Sequence, residues 1–400
     1  MSYDVTAVRA HFPALDEGAA HFDGPGGSQS PVQVADAVAG VLRTAVANKG
    51  VVTAAERRAT AIVEAARTAA ADLVGGDPAG IVFGRSMTQL TYDFARTLAK
   101  SWGPGDEVVV TRLDHDANVR PWVQAATAAG ATVRWASFDP ATGVMTPDDV
   151  ARAVSPRTRL VAVTAASNLL GSRPDVATIA ATAHEAGALV YVDGVHYAAH
   201  TFVDMAALGA DFFACSPYKF LGPHLGVLAA GPALLEELRP DKLAPSSDAV
   251  PERFEYGTLP YESLAGTTAA IDFLADLVPG TGDRRARLRG SMEALEQHEQ
   301  TLLSRLDNGL ASLPAVERFG DPARPRTPTT LFTVRDVAPA TVYRALAERN
   351  VNAPAGTFYA YECARVLGIE EQGAVRAGIG PYTSESDVDR LLDAVAAIRS

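Results

Sequence analysis

Any chemistry that needs an amine nucleophile has four lysines to draw on in this chain, Lys49, Lys100, Lys219 and Lys242. Three lie in helical or loop-like stretches. Lys219 instead follows Phe212-Phe213-Ala214-Cys215-Ser216-Pro217-Tyr218 and precedes Phe220-Leu221-Gly222-Pro223. An ammonium in such apolar, aromatic surroundings loses hydration. Its pKa falls, and the free amine can attack an aldehyde. A lysine snorkelling from a strand end would look the same in isolation. Asp193 tips the balance. It closes the run Leu189-Val190-Tyr191-Val192, so its carboxylate projects from a buried strand end and needs a cationic partner. A protonated pyridine nitrogen is such a partner, and keeping that nitrogen protonated makes pyridoxal 5′-phosphate an electron sink. An aspartate serving only as a helix cap would leave the nearby Lys219 unexplained.

Two further groups fit the same chemistry. His115, in Asp114-His115-Asp116-Ala117-Asn118, also follows an apolar run, and an imidazole can stack on a pyridine or relay protons. The plain alternative is a solvated loop histidine. Ser86-Met87-Thr88 enters a helix and offers hydroxyls and free backbone N–H groups to a phosphate. An ordinary N-cap would read the same way.

The elements around these residues must bring them together. Residues 31–47 and 54–74 predict helices, the first with Pro31 at its start. Short runs then alternate with helical stretches: Gly80-Ile81-Val82-Phe83, Glu107-Val108-Val109-Val110, Ala131-Thr132-Val133-Arg134-Trp135, Leu160-Val161-Ala162-Val163, Leu189-Val190-Tyr191-Val192 and Gly226-Val227-Leu228. Such alternation predicts an α/β fold with a mostly parallel sheet covered on both faces. Ligands of such sheets bind beyond the carboxyl ends of the strands. That is where Ser86–Thr88, Asp114–His115, Ser167–Asn168, Asp193–His196 and Ser216–Lys219 fall.

From about residue 266 the character changes. The sequence predicts a long helix over 284–312, strands at 330–334 and 374–378, and a short segment at 351–354. Further helices are predicted over 339–349, near 359–367, and from Ser384. We divide the chain into an N-terminal arm (1–20), a large cofactor-binding domain (21–265) and a smaller α+β C-terminal domain (266–400).

Composition narrows the function classes. The formal charge of −12, from 35 basic and 47 acidic residues, argues against a nucleic-acid or acidic-membrane surface. Two cysteines, Cys215 and Cys363, exclude a disulfide framework and cannot close a zinc site, so no metal is expected. No window offers the ~20 apolar residues of a membrane span, and the polar start lacks a secretory apolar core. A cytoplasmic protein is expected.

Val192-Asp193-Gly194-Val195-His196, Cys215-Ser216-Pro217-Tyr218-Lys219, Ser167-Asn168-Leu169-Leu170-Gly171 and Arg253-Phe254-Glu255-Tyr256-Gly257-Thr258 together resemble the class V aminotransferase family. The nearest branch is cysteine desulfurase-like, related to isopenicillin N epimerase. The resemblance runs from His21-Phe22-Asp23-Gly24-Pro25-Gly26-Gly27 to the stretch 382–392. It implies the fold type I of pyridoxal-phosphate transferases, with Lys219 carrying the cofactor as a Schiff base. Asp193 would pair with the pyridine nitrogen, and His115 would stack on the ring. Asn168 and His196 would lie near the phenolic oxygen; desulfurases usually carry Gln where His196 stands. Ser86, Met87, Thr88, Ser216 and Tyr218 would cradle the phosphate, Tyr218 replacing a histidine of many relatives. Thr258 would reach the phosphate of a neighbouring subunit, implying a homodimer. Arg376 would clamp the substrate α-carboxylate, a role suited to a bidentate guanidinium.

One departure matters most. Desulfurases of the nearest type carry Gly-His-His-Cys upstream of that arginine, where this chain reads Gly356-Thr357-Phe358-Tyr359. Tyr359 replaces the persulfide-forming cysteine and joins Arg376 and Asn168 as a candidate substrate contact. Cys363 follows within a predicted helix, Tyr361–Leu367, as a small buried hydrophobe. A second departure is Gly257-Thr258-Leu259-Pro260-Tyr261, where relatives often continue with Asn or His. The expected function is therefore a pyridoxal-phosphate enzyme acting at Cα and Cβ of a small-molecule amino-acid substrate, foremost a Cβ–S lyase. Epimerisation, transamination and decarboxylative deamination are the alternatives, and a non-catalytic partner protein is the competing class.

Overall fold

The structure, a computed structural model, describes residues 3–398. A two-residue strand, β1 (Ala20–His21), precedes a seven-stranded sheet. That sheet comprises β2 (Ile81–Gly84), β3 (Glu107–Thr111), β4 (Thr132–Ala136), β5 (Thr158–Thr164), β6 (Leu189–Asp193), β7 (Phe212–Cys215) and β8 (Gly226–Ala230). Its order is β2-β8-β7-β6-β5-β3-β4, and every pairing is parallel except the two made by β8. Both faces are buried. Val108 and Val110 of β3 enter one core with Leu160, Tyr191 and Phe212, while Val109 enters the other with Val161, Val190 and Phe213. This alternation is the period of a strand applied to a sheet with helices on both sides.

The helices follow their caps. Helix Ala54–Val74 starts at a Thr53/Glu56 capping box and ends at Gly75, whose φ of 72° supplies the left-handed stop. Helix Met87–Ala99 starts on Ser86, whose side chain accepts from the Gln89 amide. The helix expected over 31–47 spans only Val32–Leu42. Its last core contact is Val41, and Leu42 is already 70% exposed, so no packing extends it.

The C-terminal part carries β9 (Val316–Phe319), β10 (Thr329–Val334), β11 (Val351–Asn352), β12 (Ala355–Gly356) and β13 (Ala374–Gly378). An antiparallel sheet of order β12-β13-β10-β9 holds four of them, and β11 pairs with β1. A third core gathers Leu302, Leu306 and Leu310 with Phe332, Val375 and Leu391. Helix Tyr261–Ala275 runs unbroken through the expected division at 265/266 and packs on helices Val32–Leu42 and Ala54–Val74. Helix Arg284–Ala311 joins the cores, giving Leu288, Met292 and Leu295 to the large one and Leu302–Leu310 to the small one. We propose that the two units divide within this helix. The arm is anchored to the small unit, with Arg9 Nη1 donating to Asp387 at 2.7 Å and Tyr3 Oη to the Pro381 carbonyl at 2.6 Å.

Candidate active site

The carboxyl ends of the parallel strands open into a cavity of about 600 Å³. Asp193, the last residue of β6, lines it. Its Oδ1 accepts the Val195 amide at 2.9 Å. Burial pushes the carboxyl up to about 6, opposed by that amide and by the charge of Lys219. Lys219 sits one turn beyond β7, and its Nζ donates to the Pro25 carbonyl. Burial, then the charge of Arg376, bring the ammonium down to about 7, with Asp193 opposing. The free amine is thus well populated at neutral pH.

Both site histidines are held neutral. Burial and the cations Lys219 and Arg376 lower His115 to about 4. Its Nδ1 accepts the Ala117 amide at 3.0 Å, which assigns the ring proton to Nε2. His196 lies well below its ordinary range, chiefly through burial. Its Nε2 is 2.9 Å and 3.1 Å from the hydroxyls of Thr327 and Thr329.

Met87 and Thr88, at the N-terminus of helix Met87–Ala99, line the cavity with Ser216 and Tyr218. The Ser86 hydroxyl is spent on capping that helix, and Ser86 does not line the cavity. Tyr218 stacks on His224 at 4.8 Å between ring centroids. Thr258 also lies away from the cavity, exposed, its Oγ1 3.5 Å from Asn48 Oδ1.

Arg376, on β13, is almost fully buried and enters the cavity from the small unit. Its Nη1 donates to the Asn168 carbonyl at 2.8 Å, its guanidinium lies 3.8 Å from the Phe358 ring centroid, and its Nε is buried without a hydrogen-bond partner. Burial pulls its pKa down to about 9, partly offset by Asp23. A buried cation this poorly paired is suited to an incoming carboxylate. Asn168 donates Nδ2 to the Phe358 carbonyl at 2.9 Å and leaves Oδ1 buried without a partner.

The stretch carrying Tyr359 is a fixed wall. Phe358 and Tyr359 adopt left-handed φ values of 54° and 59°, a strained choice for bulky side chains. The Asp116 amide donates to the Tyr359 carbonyl at 2.8 Å, and the Tyr359 ring stacks on His115 at 5.6 Å. Glu362, buried one turn on, accepts from Arg112 Nη1 at 2.7 Å and from Arg120. Neither thiol lines the cavity. Cys363 is fully buried within helix Tyr361–Leu367, and burial drives its thiol far up. Cys215 lies buried on β7, pushed up to about 12 by burial and by Asp193.

Sequence reasoning missed Phe358, Tyr92, Glu362 and the Pro25 carbonyl. For Pro25 the signal was present in Asp23-Gly24-Pro25-Gly26-Gly27, a glycine-flanked turn of the kind that brings backbone close to a ligand. Phe358 and Glu362 carried none.

A buried carboxylate and a desolvated lysine on neighbouring parallel-strand ends, with a helix N-terminus and an under-paired arginine in one cavity, fit pyridoxal 5′-phosphate and an amino-acid substrate. They define an α/β enzyme of the pyridoxal-phosphate class. The aminotransferase class-V family model matches residues 20–391, and the chain belongs to that family. An uncharacterized protein of Mycobacterium tuberculosis is 34% identical over the full length of both chains. A cysteine desulfurase of Klebsiella pneumoniae is 30% identical, covering 100% of this chain and 99% of its own. Among solved structures, a cysteine desulfurase of Escherichia coli superposes with a TM-score of 0.87 at 29% identity, covering 99% of this chain and 98% of its own. The apo cysteine desulfurase of Thermococcus onnurineus gives 0.89 at 26%, covering 98% and 97%. The chain is therefore a desulfurase-like, fold type I enzyme with pyridoxal 5′-phosphate as cofactor.

Proposed function

We propose that the enzyme is a Cβ–S lyase that acts at Cα and Cβ of an α-amino acid without forming a persulfide on a cysteine of its own. The observation that carries this reading is the partition of nucleophiles. The amine of Lys219 lies in the cavity, whereas Cys215 and Cys363 are buried outside it. Bound pyridoxal 5′-phosphate supplies the sink for charge left at Cα. In this reading Asp193 would pair with the pyridine nitrogen, His115 would stack on the ring, and Asn168 and His196 would lie near the phenolic oxygen. Met87, Thr88, Ser216 and Tyr218 hold the phosphate with the helix N-terminus, to which Ser86 contributes through capping. Arg376 binds the substrate carboxylate. Lys219 Nζ takes the proton from Cα and can hand it to the departing sulfur.

We also propose a homodimer in which Thr258 serves the neighbouring site. Both cysteines are free, as a reducing compartment would have them, and we read the enzyme as cytoplasmic. No helix among the described residues is long and apolar enough to cross a membrane.

Product analysis of the holoenzyme tests the reaction. Cysteine or an S-substituted cysteine should yield pyruvate and ammonia in equal amounts, and Cys363→Ser and Cys215→Ser should stay within a few-fold of wild type. Alanine release in step with a persulfide on Cys363, seen by mass spectrometry without reductant, would restore a desulfurase.

A further inference from the structure

The mouth of the cavity differs in character from its floor. Asp193, Lys219 and Ser216 lie at the strand ends; Tyr92 and Ala117 from the large unit and Phe358 and Tyr359 from the small unit supply apolar and aromatic lining elsewhere, beside the Arg120–Asp116 ion pair. Tyr359 is 77% exposed, although its ring lies within 27° of parallel to His115 and its carbonyl accepts the Asp116 amide. An aromatic ring pinned at a cavity rim in a left-handed conformation, with one face uncovered, offers a stacking platform to whatever enters. The charged groups lining this end, Arg120 and Asp116, are already engaged with each other and, for Arg120, with Glu362, which also takes Arg112 and, at 3.7 Å, Arg365. Arg120 Nε is 2.9 Å from Asp116 Oδ1, and Arg120 Nη2 donates to Glu362. Among the described lining residues, Arg376 is a cation with a buried, unpartnered Nε, and it lies against Phe358 rather than at the rim. A substrate held by its carboxylate at Arg376 would therefore meet aromatic and apolar surface beyond Cβ, with Arg120 already committed to Asp116 and Glu362 rather than free for a distal ionic group.

We infer that this wall selects amino acids bearing a large, uncharged, apolar or aromatic group beyond Cβ, such as S-benzyl-L-cysteine, over L-cysteine and over analogues with a distal carboxylate. For its reaction the inference rests on the Cβ–S lyase reading; for recognition it stands alone. The reaction balances without an oxidant. S-benzyl-L-cysteine and water give pyruvate, ammonia and phenylmethanethiol. The Cα–H and Cβ–S bonds break, the Cα proton passes to Lys219, and the departing sulfur keeps the bonding pair and is protonated; the enamine left behind takes a proton at Cβ, and water adds at Cα as the C–N bond breaks and ammonia leaves.

The test uses purified holoenzyme with S-benzyl-L-cysteine, L-cysteine and S-carboxymethyl-L-cysteine, reading pyruvate release. The kcat/KM for the benzyl compound should exceed that for each of the others by at least about tenfold, the scale on which pockets discriminate apolar groups. Tyr359→Ala should shrink that ratio several-fold, and Tyr359→Phe should preserve it. Equal or inverted preference, or an unchanged ratio in Tyr359→Ala, overturns the inference. Should no compound release pyruvate, the lyase reading fails by itself. Selectivity is then read from the absorbance change of the bound cofactor on titration with L-phenylalanine against L-alanine. Tighter binding of phenylalanine, weakened by Tyr359→Ala, supports the wall, and equal binding refutes it.

Discussion

Asp114 lies fully buried directly before His115, with Asn118 Nδ2 donating to its Oδ1 at 2.7 Å and the Thr111 hydroxyl donating to Oδ2. Burial outweighs these bonds and pushes the carboxyl up to about 8 from 3.8, with Asp193 adding to the rise. The folded protein therefore holds a proton here that the unfolded chain releases near pH 4. Between pH 4 and 8 the folded state binds more protons, so this residue makes stability fall as pH rises, with no further loss above about 8. Asp114→Asn removes the titration while keeping the shape. The variant should match wild type near pH 4 and gain on it toward pH 8, by about 2 °C in Tm for each ~1 kcal/mol relieved. Melting curves across that range check it; a constant difference between the two proteins would mean that Asp114 is ionised when folded. The sequence pointed at His115 and passed over the aspartate beside it, because what raises that carboxyl is depth, and depth depends on the neighbours Asn118, Trp122 and β5.

At the scale of elements, helix Tyr361–Leu367 is tied to the large unit by one carboxylate. Glu362 is buried and bridges Arg112 and Arg120, both about 30% exposed, with Arg365 within 3.7 Å. Glu362→Ala should cost about 1.5–3 kcal/mol, the range for hydrogen bonds to charged groups. The value should fall near the low end, because both arginines can turn back to water. The local consequence should be larger than the global one. The Asp116 amide, which donates to Tyr359, should lose hydrogen-exchange protection, and KM should rise more than kcat falls. Unchanged exchange at Asp116 would show that the wall does not depend on the bridge.

How much of this was readable differs by element. The strands β3, β5 and β6 were legible because Val-rich runs suit a sheet buried on both faces, and the residues that follow them supplied most of the site. β7, Phe-Phe-Ala-Cys, lacks β-branched residues and was recognised only through the lysine beyond it. The Glu362 bridge was not legible, because its partners lie some 250 residues away and meet it only once two units have packed. The left-handed pair Phe358–Tyr359 was hidden for a similar reason. Bulky residues do not choose that conformation locally, and contacts from Asn168, Asp116 and Arg376 impose it.

For the whole molecule, several strongly exposed apolar side chains share one region of the surface. Leu42, Val51 and Val52 are 70%, 76% and 80% exposed, and Leu243 is 66% exposed. The Lys49–Glu252 ion pair and the Thr258–Asn48 contact bring the segments 42–52 and 243–258 together. The apolar residues thus belong to the same region as Thr258. Uncovered apolar patches of this kind mark contact surfaces, and a two-fold pairing would let one patch cover its copy. The same pairing would carry each Thr258, turned away from its own cavity, toward the other subunit's phosphate site. Dimerisation and cofactor retention should then fail together. Leu42→Asp combined with Val52→Asp should give a monomer by analytical ultracentrifugation that loses cofactor on dialysis faster than wild type. Thr258→Ala alone should weaken cofactor retention and leave the dimer intact, which separates the two effects. A wild-type protein that sediments as a monomer at micromolar concentration, or a double variant that remains dimeric, would remove this surface as the interface and leave Thr258 without a role in the site.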